Sequence, residues 1–288
     1  MSERFLEDLV KIGTLAKTIK GTLKKSVPSS YGQATAYVQQ TVKNAGYVCA
    51  FPTLVLPDKR VSNWTPLIRD LHQELEFKVC CTFDIGIQTP SGAIIDTAVT
   101  ITKPLFDPVL QEYKRLYASV LKKLNTIYEE SGTLHVNAIT DTVHEIFKST
   151  AFKLVYGSDA HFIEPFVLHA AAIPMSYPNE FCERSHTKGA PLAQGDVFTI
   201  QPHVFFQVDQ EGELVPIVQE IRSTVSDSNI QKDAQRDIID TVDNRLGKKA
   251  RFNTSFSTQS VSFRHPSCYA MYIEETFVIK DSKIVQLT

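Results

Sequence analysis

The chain has 288 residues, of which 43% are apolar and 22% charged, and its formal net charge is −2. This is the balance of an ordinary soluble globular protein, and it gives no global sign of a nucleic-acid binder. Five cysteines without CxxC spacing argue against a structural zinc site or a disulfide framework. With no apolar run of about 18 residues and no signal-peptide core, we expect an intracellular protein without a membrane span.

The first part of the chain alternates between helical and extended patterns. Apolar spacing predicts, in chain order, a helix at 4–20, a helix at 32–44 that ends at the sequence NAG, and a strand at 47–56. A loop with the only tryptophan, Trp64, follows.

Residues 83–101 predict two strands joined by a turn, with Asp84 on one strand and Asp96 on the other. The turn sequence Thr-Pro-Ser-Gly suits a type I turn, and an odd-length loop would put both aspartates on one face. Two neighbouring like charges are unfavourable without a positive partner. The hairpin alone therefore leaves two interpretations, a metal site or a solvated polar face.

The second part of the chain predicts long helices followed by strands, and hence an α+β fold. The elements, in order, are a helix at 107–130 with Asp107 as N-cap, a helix at 137–149, an extended region at 152–175, a strand at 195–208, a helix at 231–246 within a polar segment, and two strands in 269–288.

Five segments together resemble the pita-bread metallopeptidases, and within them the type II methionine aminopeptidases. They are AFPTLVLPDKRVSNWTP, FDIGIQTPSGAIIDTAV, HFIEPFVLHAAAIPM, GDVFTIQPHVF and MYIEETFVI, in this order. The resemblance implies one α+β pita-bread domain over 1–288, with two pseudo-symmetric halves around a curved antiparallel sheet. It also implies a helical insertion at about 205–262.

The resemblance also implies a site that holds two adjacent divalent metals, which position and deprotonate a water molecule. Four residues match its ligand positions: Asp84, Asp96, His161 and Glu274. A fifth residue, His169, matches a histidine that contacts the substrate peptide.

Several positions depart from the family pattern. Gln201 replaces a ligand carboxylate, and Asn63 replaces the catalytic histidine. The Asn63 amide cannot act as an acid or base in place of that histidine. Ala160 and Glu164 stand where the family has glycines around the ligand histidine, and the two aspartates are one residue further apart than in the family. The resemblance thus implies a degenerate site without catalytic residues, with at most one weakly bound divalent metal and no other cofactor.

A whole fold around a damaged site resembles the family's ribosome-associated branch, the proliferation-associated proteins and pre-ribosome export factors. This resemblance predicts an inactive monomer in the cytoplasm and nucleus. It would bind the proteins and rRNA of the large ribosomal subunit near the peptide exit tunnel and act in ribosome biogenesis or in the regulation of ribosome-bound factors. It would bind neither DNA nor membranes. The candidate RNA contacts are Lys20, Lys24, Lys25, Arg245, Lys248, Lys249 and Arg251. Two alternatives stay open, a divergent metal-dependent aminopeptidase and a peptide-binding module.

Overall fold

The computed structural model describes residues 3–62, 66, 70–155, 158–174, 191–217, 225–226, 263–264, 267–281 and 283–288. Its helices are α1 (Glu3–Lys25), α2 (Tyr31–Asn44), α3 (Asp107–Ser131) and α4 (Val136–Phe147). Its strands are β1 (Val48–Cys49), β2 (Leu54–Pro57), β3 (Arg60–Ser62), β4 (Cys80–Gln88), β5 (Ile94–Thr102), β6 (Lys153–Leu154), β7 (Ser158–Glu164), β8 (Val167–Pro174), β9 (Val197–Ile200), β10 (Val204–Val208), β11 (Leu214–Val215), β12 (Val225–Ser226), β13 (Phe263–Arg264), β14 (Tyr269–Met271), β15 (Glu275–Lys280) and β16 (Lys283–Gln286).

The first half packs α1 and α2 against a sheet in which β4 pairs with β1, β2 and β5. Ser30 is the N-cap of α2, and its side chain accepts a hydrogen bond from the Gln33 backbone N–H. Gly46, at φ +81°, follows the end of the helix. One buried face of α1 is made of Leu9, Ile12, Ala16, Ile19 and Leu23. These residues recur at helical spacing and form part of the core of this half.

The second half repeats the arrangement with α3, α4 and a sheet of order β16-β15-β9-β7-β8. A second core lies here, with aromatic contacts that join Tyr113 of α3 to Phe147 and Phe152. Antiparallel strands and paired helices in both halves confirm the predicted α+β class.

The two halves meet along a seam between β5 and the chain segment before β15. There Ala98 and Glu274 form an antiparallel bridge, with the Ala98 N–H donating to the Glu274 carbonyl at 3.0 Å. On the α1 side, the Lys20 ammonium lies 2.6 Å from the Glu275 carboxylate. The halves are thus joined at two adjacent residues, by a backbone hydrogen bond at Glu274 and by an ion pair at Glu275.

Some element boundaries differ from the sequence predictions. The strand predicted at 195–208 is two strands in different sheets, β9 and β10, and the strand predicted at 47–56 is β1 and β2. Asp107 is the first residue of α3 rather than its N-cap, because a 3-10 turn at Pro104–Phe106 precedes it. The break between β9 and β10 is a change of pairing partner, whereas β1 and β2 both pair with β4 and are separated by residues 50–53.

The predicted insertion at about 205–262 falls mostly outside the described residues, as does the helix predicted at 231–246. Residues 205–208 belong to β10, whose Phe205 and Phe206 are buried in the second half. An insertion can therefore begin only after this strand. Within the described chain, no helix is both long and apolar enough to cross a membrane.

Candidate metal centre

The β4–β5 hairpin brings Asp84 and Asp96 onto one face. Gln88 pairs with Ile94, which leaves five residues, 89–93, in the loop. The Gly92 N–H donates to the Thr89 carbonyl, and Gly92 takes a φ of +86°, which favours glycine. Asp96 lies opposite Gly86, so the aspartates are one diagonal step apart, as the odd-length loop predicts.

Both aspartates are buried, with 6% of Asp84 and 3% of Asp96 exposed. The solvated polar face is therefore wrong. Thr82 on the same face is also buried, and the Phe51 ring lies so close to Gly86 that a side chain there would collide with it. Two carboxylates are thus held together in an apolar interior.

His161 and Glu274 complete the group at the seam. His161 lies on β7, and its Nε2 is 3.5 Å from Asp96 Oδ2 and 3.3 Å from Glu274 Oε1. One potential ligand atom from each of Asp96, His161 and Glu274 lies within 4.8 Å of the others. The structure therefore brings together three of the four predicted ligands in a close, buried group.

Asp84 lies beside this group but has a different partner. The hydroxyl of buried Tyr272 donates a 2.7 Å hydrogen bond to Asp84 Oδ2. The His203 ring lies against the Tyr272 ring, with 3.9 Å between centroids. The sequence analysis missed both residues. Tyr272 could have been found from its position two residues before Glu274, because alternate residues of an extended chain share a face.

Burial and charge shift the pKa of every group in the site. Burial raises the pKa of Asp84 well above its usual range, and the charge of Asp96 adds to the effect. Burial and Glu274 raise the pKa of Asp96 to about 6, and burial and Asp84 raise the pKa of Glu274 to about 7. Burial lowers the pKa of His161, but its carboxylate neighbours outweigh this and raise it to about 10.

Four carboxylate oxygens in the site are buried without a hydrogen-bond partner among the described residues: Asp84 Oδ1, Asp96 Oδ1 and both Oε1 and Oε2 of Glu274. A buried carboxylate oxygen without a donor is costly, and a cation removes that cost. Carboxylate oxygens and one imidazole also suit a divalent metal. The residues present therefore fit a single divalent cation between Asp96, His161 and Glu274.

The degenerate positions are described only in part. Gln201 directly follows β9 and is half-buried, and its amide makes no hydrogen bond to the three-residue group within the described chain. Ala160 is buried beside His161, whereas Glu164 is exposed at the end of β7. Asn63 lies outside the described residues, and of His169 only its place on β8 is described.

The candidate RNA contacts separate into two groups. The prediction that Lys20 contacts RNA is corrected by the structure. Lys20 is only 6% exposed, and its ammonium group donates hydrogen bonds to both Glu275 and Thr97 at the seam. Lys24 and Lys25 are exposed near the end of α1. The remaining candidates lie outside the described residues: Arg245, Lys248, Lys249 and Arg251.

Comparison with known proteins places these observations in a wider context. Residues 15–281 match the model of metallopeptidase family M24. No curated protein sequence matches the chain significantly.

Solved structures match over the full chain at low identity. Methionine aminopeptidase from Rickettsia prowazekii is 11% identical, with a TM-score of 0.66 over 100% of this chain and 98% of that one. The Thermotoga maritima methionine aminopeptidase is 15% identical, with a TM-score of 0.65 and the same coverage. A thermophilic Arx1 is 13% identical, with a TM-score of 0.68 over 100% of this chain and 91% of its own. These likenesses confirm the pita-bread fold.

Proposed function

Because the chain belongs to metallopeptidase family M24, we propose that it is a catalytically inactive member that binds the large ribosomal subunit near the peptide exit tunnel. Two arguments support this proposal, one from the chemistry of the site and one from the sequence resemblance.

The observation that carries the inactive assignment is the reduction of the site to one close three-residue group. A two-metal mechanism needs enough carboxylates to hold both ions and the water between them. Here Gln201 supplies no charge where a carboxylate is expected, and Tyr272 occupies one oxygen of Asp84. The remaining group, Asp96, His161 and Glu274, suits one ion.

A single divalent cation would act here as a charge that neutralises the buried carboxylates. Asp96 and Glu274 would bind it through oxygen, and His161 through the nitrogen that now faces both of them. With Asn63 in the place of the family's histidine, the chain offers no imidazole there to move a proton. The proposed role of the site is therefore structural.

The ribosomal placement follows from the resemblance to the ribosome-associated branch. Lys24 and Lys25 present exposed charge for rRNA, and the basic residues of the 205–262 segment would add to it. Similarity of fold does not separate the branches, because Arx1 and the two methionine aminopeptidases match with similar TM-scores. The partners and the cytoplasmic and nuclear location belong to the same proposal.

One observation favours the second candidate, a divergent metal-dependent aminopeptidase. The Asp96–His161–Glu274 group remains intact and buried at the meeting point of the two halves. A peptide-binding module that uses the same cleft without hydrolysis is the third candidate.

Metal content and turnover distinguish the first two candidates. We expect at most one divalent ion per chain by elemental analysis, and no release of methionine from Met-Ala-Ser with added cobalt or manganese. The control variant is Asp96→Asn, which removes a ligand oxygen common to any metal in the group. Two ions per chain, with methionine release that Asp96→Asn abolishes, would establish the aminopeptidase instead.

Co-sedimentation with large ribosomal subunits at rising salt tests the placement. We expect binding at low salt that weakens as salt rises, and weaker binding when Lys248, Lys249 and Arg251 are changed to glutamate. A matched triple reversal uses the exposed lysines Lys17, Lys43 and Lys122 and should leave binding nearly unchanged. Absence from the ribosomal fraction at low salt would remove the ribosomal part of the proposal and leave the metal argument intact.

A further inference from the structure

A second polar site lies at the seam, on the helical side of the sheet. It is a pocket of about 220 Å³ between α1 and α3, lined by three lysines, Lys20, Lys24 and Lys114, together with Tyr117, Ile273 and Glu275. Glu275 follows Glu274 directly, and neighbouring residues of an extended chain point to opposite faces. The pocket therefore faces away from the metal centre.

The charges in this pocket do not balance. Lys20 is neutralised by Glu275, whose carboxylate lies 2.6 Å from its ammonium group. Neither Lys24 nor Lys114 has a carboxylate within 4.0 Å in the described part of the chain. The Glu275 carboxylate is therefore paired with Lys20, and the positive charges of Lys24 and Lys114 remain without a carboxylate partner at the pocket.

The two lysines without a carboxylate partner act on each other. Burial lowers the pKa of half-buried Lys114, and the positive charge of Lys24 lowers it further, while Asp107 offsets this only in part. Burial lowers the pKa of Lys20, Glu275 opposes this in part, and the charge of Lys24 adds to the lowering. Lys24 thus repels a cation on each side, and an anion bound between them would remove that repulsion.

The size of the pocket limits the anion. Its volume is below the roughly 300–1,000 Å³ of sites for drug-sized ligands, so it suits one small group rather than a nucleotide. Its lining includes the aliphatic side chains of Leu121 and Ile273, so the lysines supply its positive charge. Two lysine ammonium groups match the charge of about −1.5 to −2 that a phosphate monoester carries at pH 7. A carboxylate would neutralise only half of that charge.

We propose that this pocket binds a single phosphate group between the ammonium groups of Lys24 and Lys114. The group is inorganic phosphate or belongs to a small phosphate monoester. Lys24 is also a candidate rRNA contact, but the phosphate site does not rest on the metal centre, because the two lie on opposite faces of the seam.

Calorimetric titration of the full chain with inorganic phosphate tests the site. We expect saturable binding of one phosphate per chain, and no comparable binding of acetate at equal ionic strength. Lys24→Met and Lys114→Met should each weaken phosphate binding at least about tenfold, since each removes one charge-assisted hydrogen bond.

The matched controls are Lys17→Met, on α1 with Lys24, and Lys122→Met, on α3 with Lys114. Both control lysines are exposed and lie outside the pocket, so phosphate affinity should change less than about twofold. Because Lys24 is exposed, its variant does not threaten the fold, and phosphate should raise the thermal midpoint of the wild type but not of Lys24→Met. Absence of saturable binding, or equal weakening in all four variants, overturns the proposal.

Short uridine oligonucleotides identify the source of the phosphate. Binding that requires a 5′-phosphate and is lost in Lys24→Met indicates a monoester. Equal binding of the 5′-phosphate and 5′-hydroxyl forms, again lost in Lys24→Met but kept in Lys17→Met, indicates an RNA backbone phosphate and contradicts the monoester. Binding that Lys17→Met weakens as much as Lys24→Met indicates a diffuse basic surface and contradicts the pocket.

Discussion

Lys20→Met should destabilise the protein because it leaves a buried carboxylate without its cation. The Lys20–Glu275 pair joins α1 of the first half to β15 of the second, with side chains only 7% and 14% exposed. Removing one partner of a buried pair typically costs about 3–5 kcal/mol. We expect the lower end, about 3 kcal/mol, because Glu275 keeps a 2.7 Å hydrogen bond from the Thr288 hydroxyl.

For a chain of this size, about 3 kcal/mol corresponds to a fall of roughly 6 °C in the thermal midpoint. Urea and thermal unfolding followed by circular dichroism measure it. Lys17→Met, an exposed lysine on the same helix, should stay within about 0.5 kcal/mol of the wild type. The double variant Lys20→Met/Glu275→Gln should recover part of the loss, since it removes the unpaired charge.

Two results would refute this reasoning. The first is a Lys20→Met variant no less stable than Lys17→Met. The second is a double variant whose loss equals the sum of the two single losses, because independent sites add and coupled sites do not. Either result would mean that the halves are not joined by this pair.

Three further predictions concern the metal centre. Tyr272→Phe should lower the free energy of unfolding by about 1.5–3 kcal/mol in urea titrations, the loss of a buried hydrogen bond to a carboxylate; an unchanged value would mean that the carboxylate finds another donor. Gln201→Glu should raise manganese affinity at least about tenfold by calorimetry, since a charged ligand replaces an amide; unchanged affinity would place residue 201 outside the site. The metal-free protein should lose stability from pH 5 to pH 9 in chelator, measured by thermal midpoint. In the folded protein the pKa is raised to about 6 for Asp96, about 7 for Glu274 and about 10 for His161. Each group therefore contributes stability that is fully present below its unfolded pKa and is lost as pH rises through its folded pKa. A thermal midpoint that rises with pH would contradict the assigned charges.

The sequence predicted the features that depend on local chemistry. The turn residues Pro90 and Gly92 determine the loop of the β4–β5 hairpin, and its odd length correctly placed Asp84 and Asp96 on one face. The five resembling segments predicted the fold and brought His161 and Glu274 into the same group. Turn type and strand alternation are properties of neighbouring residues, so a single sequence displays them.

Features that depend on distant residues were not predictable in this way. Lys20 belongs to a basic run that suggested a solvent-exposed face, but its partner Glu275 lies 255 residues further along the chain. The Tyr272–Asp84 hydrogen bond likewise spans 188 residues. The break between β9 and β10 was missed because the stretch is apolar on both faces, so its alternation does not show where the pairing changes.

The seam between the halves also constrains the order in which the chain can fold. The hydrogen bond from the Thr97 hydroxyl to the Glu274 carbonyl joins positions 177 residues apart, whereas the β4–β5 hairpin closes across five residues. Closing a long loop costs more entropy, and distant contacts form slowly. We therefore expect the hairpin with its two aspartates to form early and the seam late. A divalent ion would then meet the complete ligand group only at the last step, and would stabilise the finished fold without guiding the chain toward it.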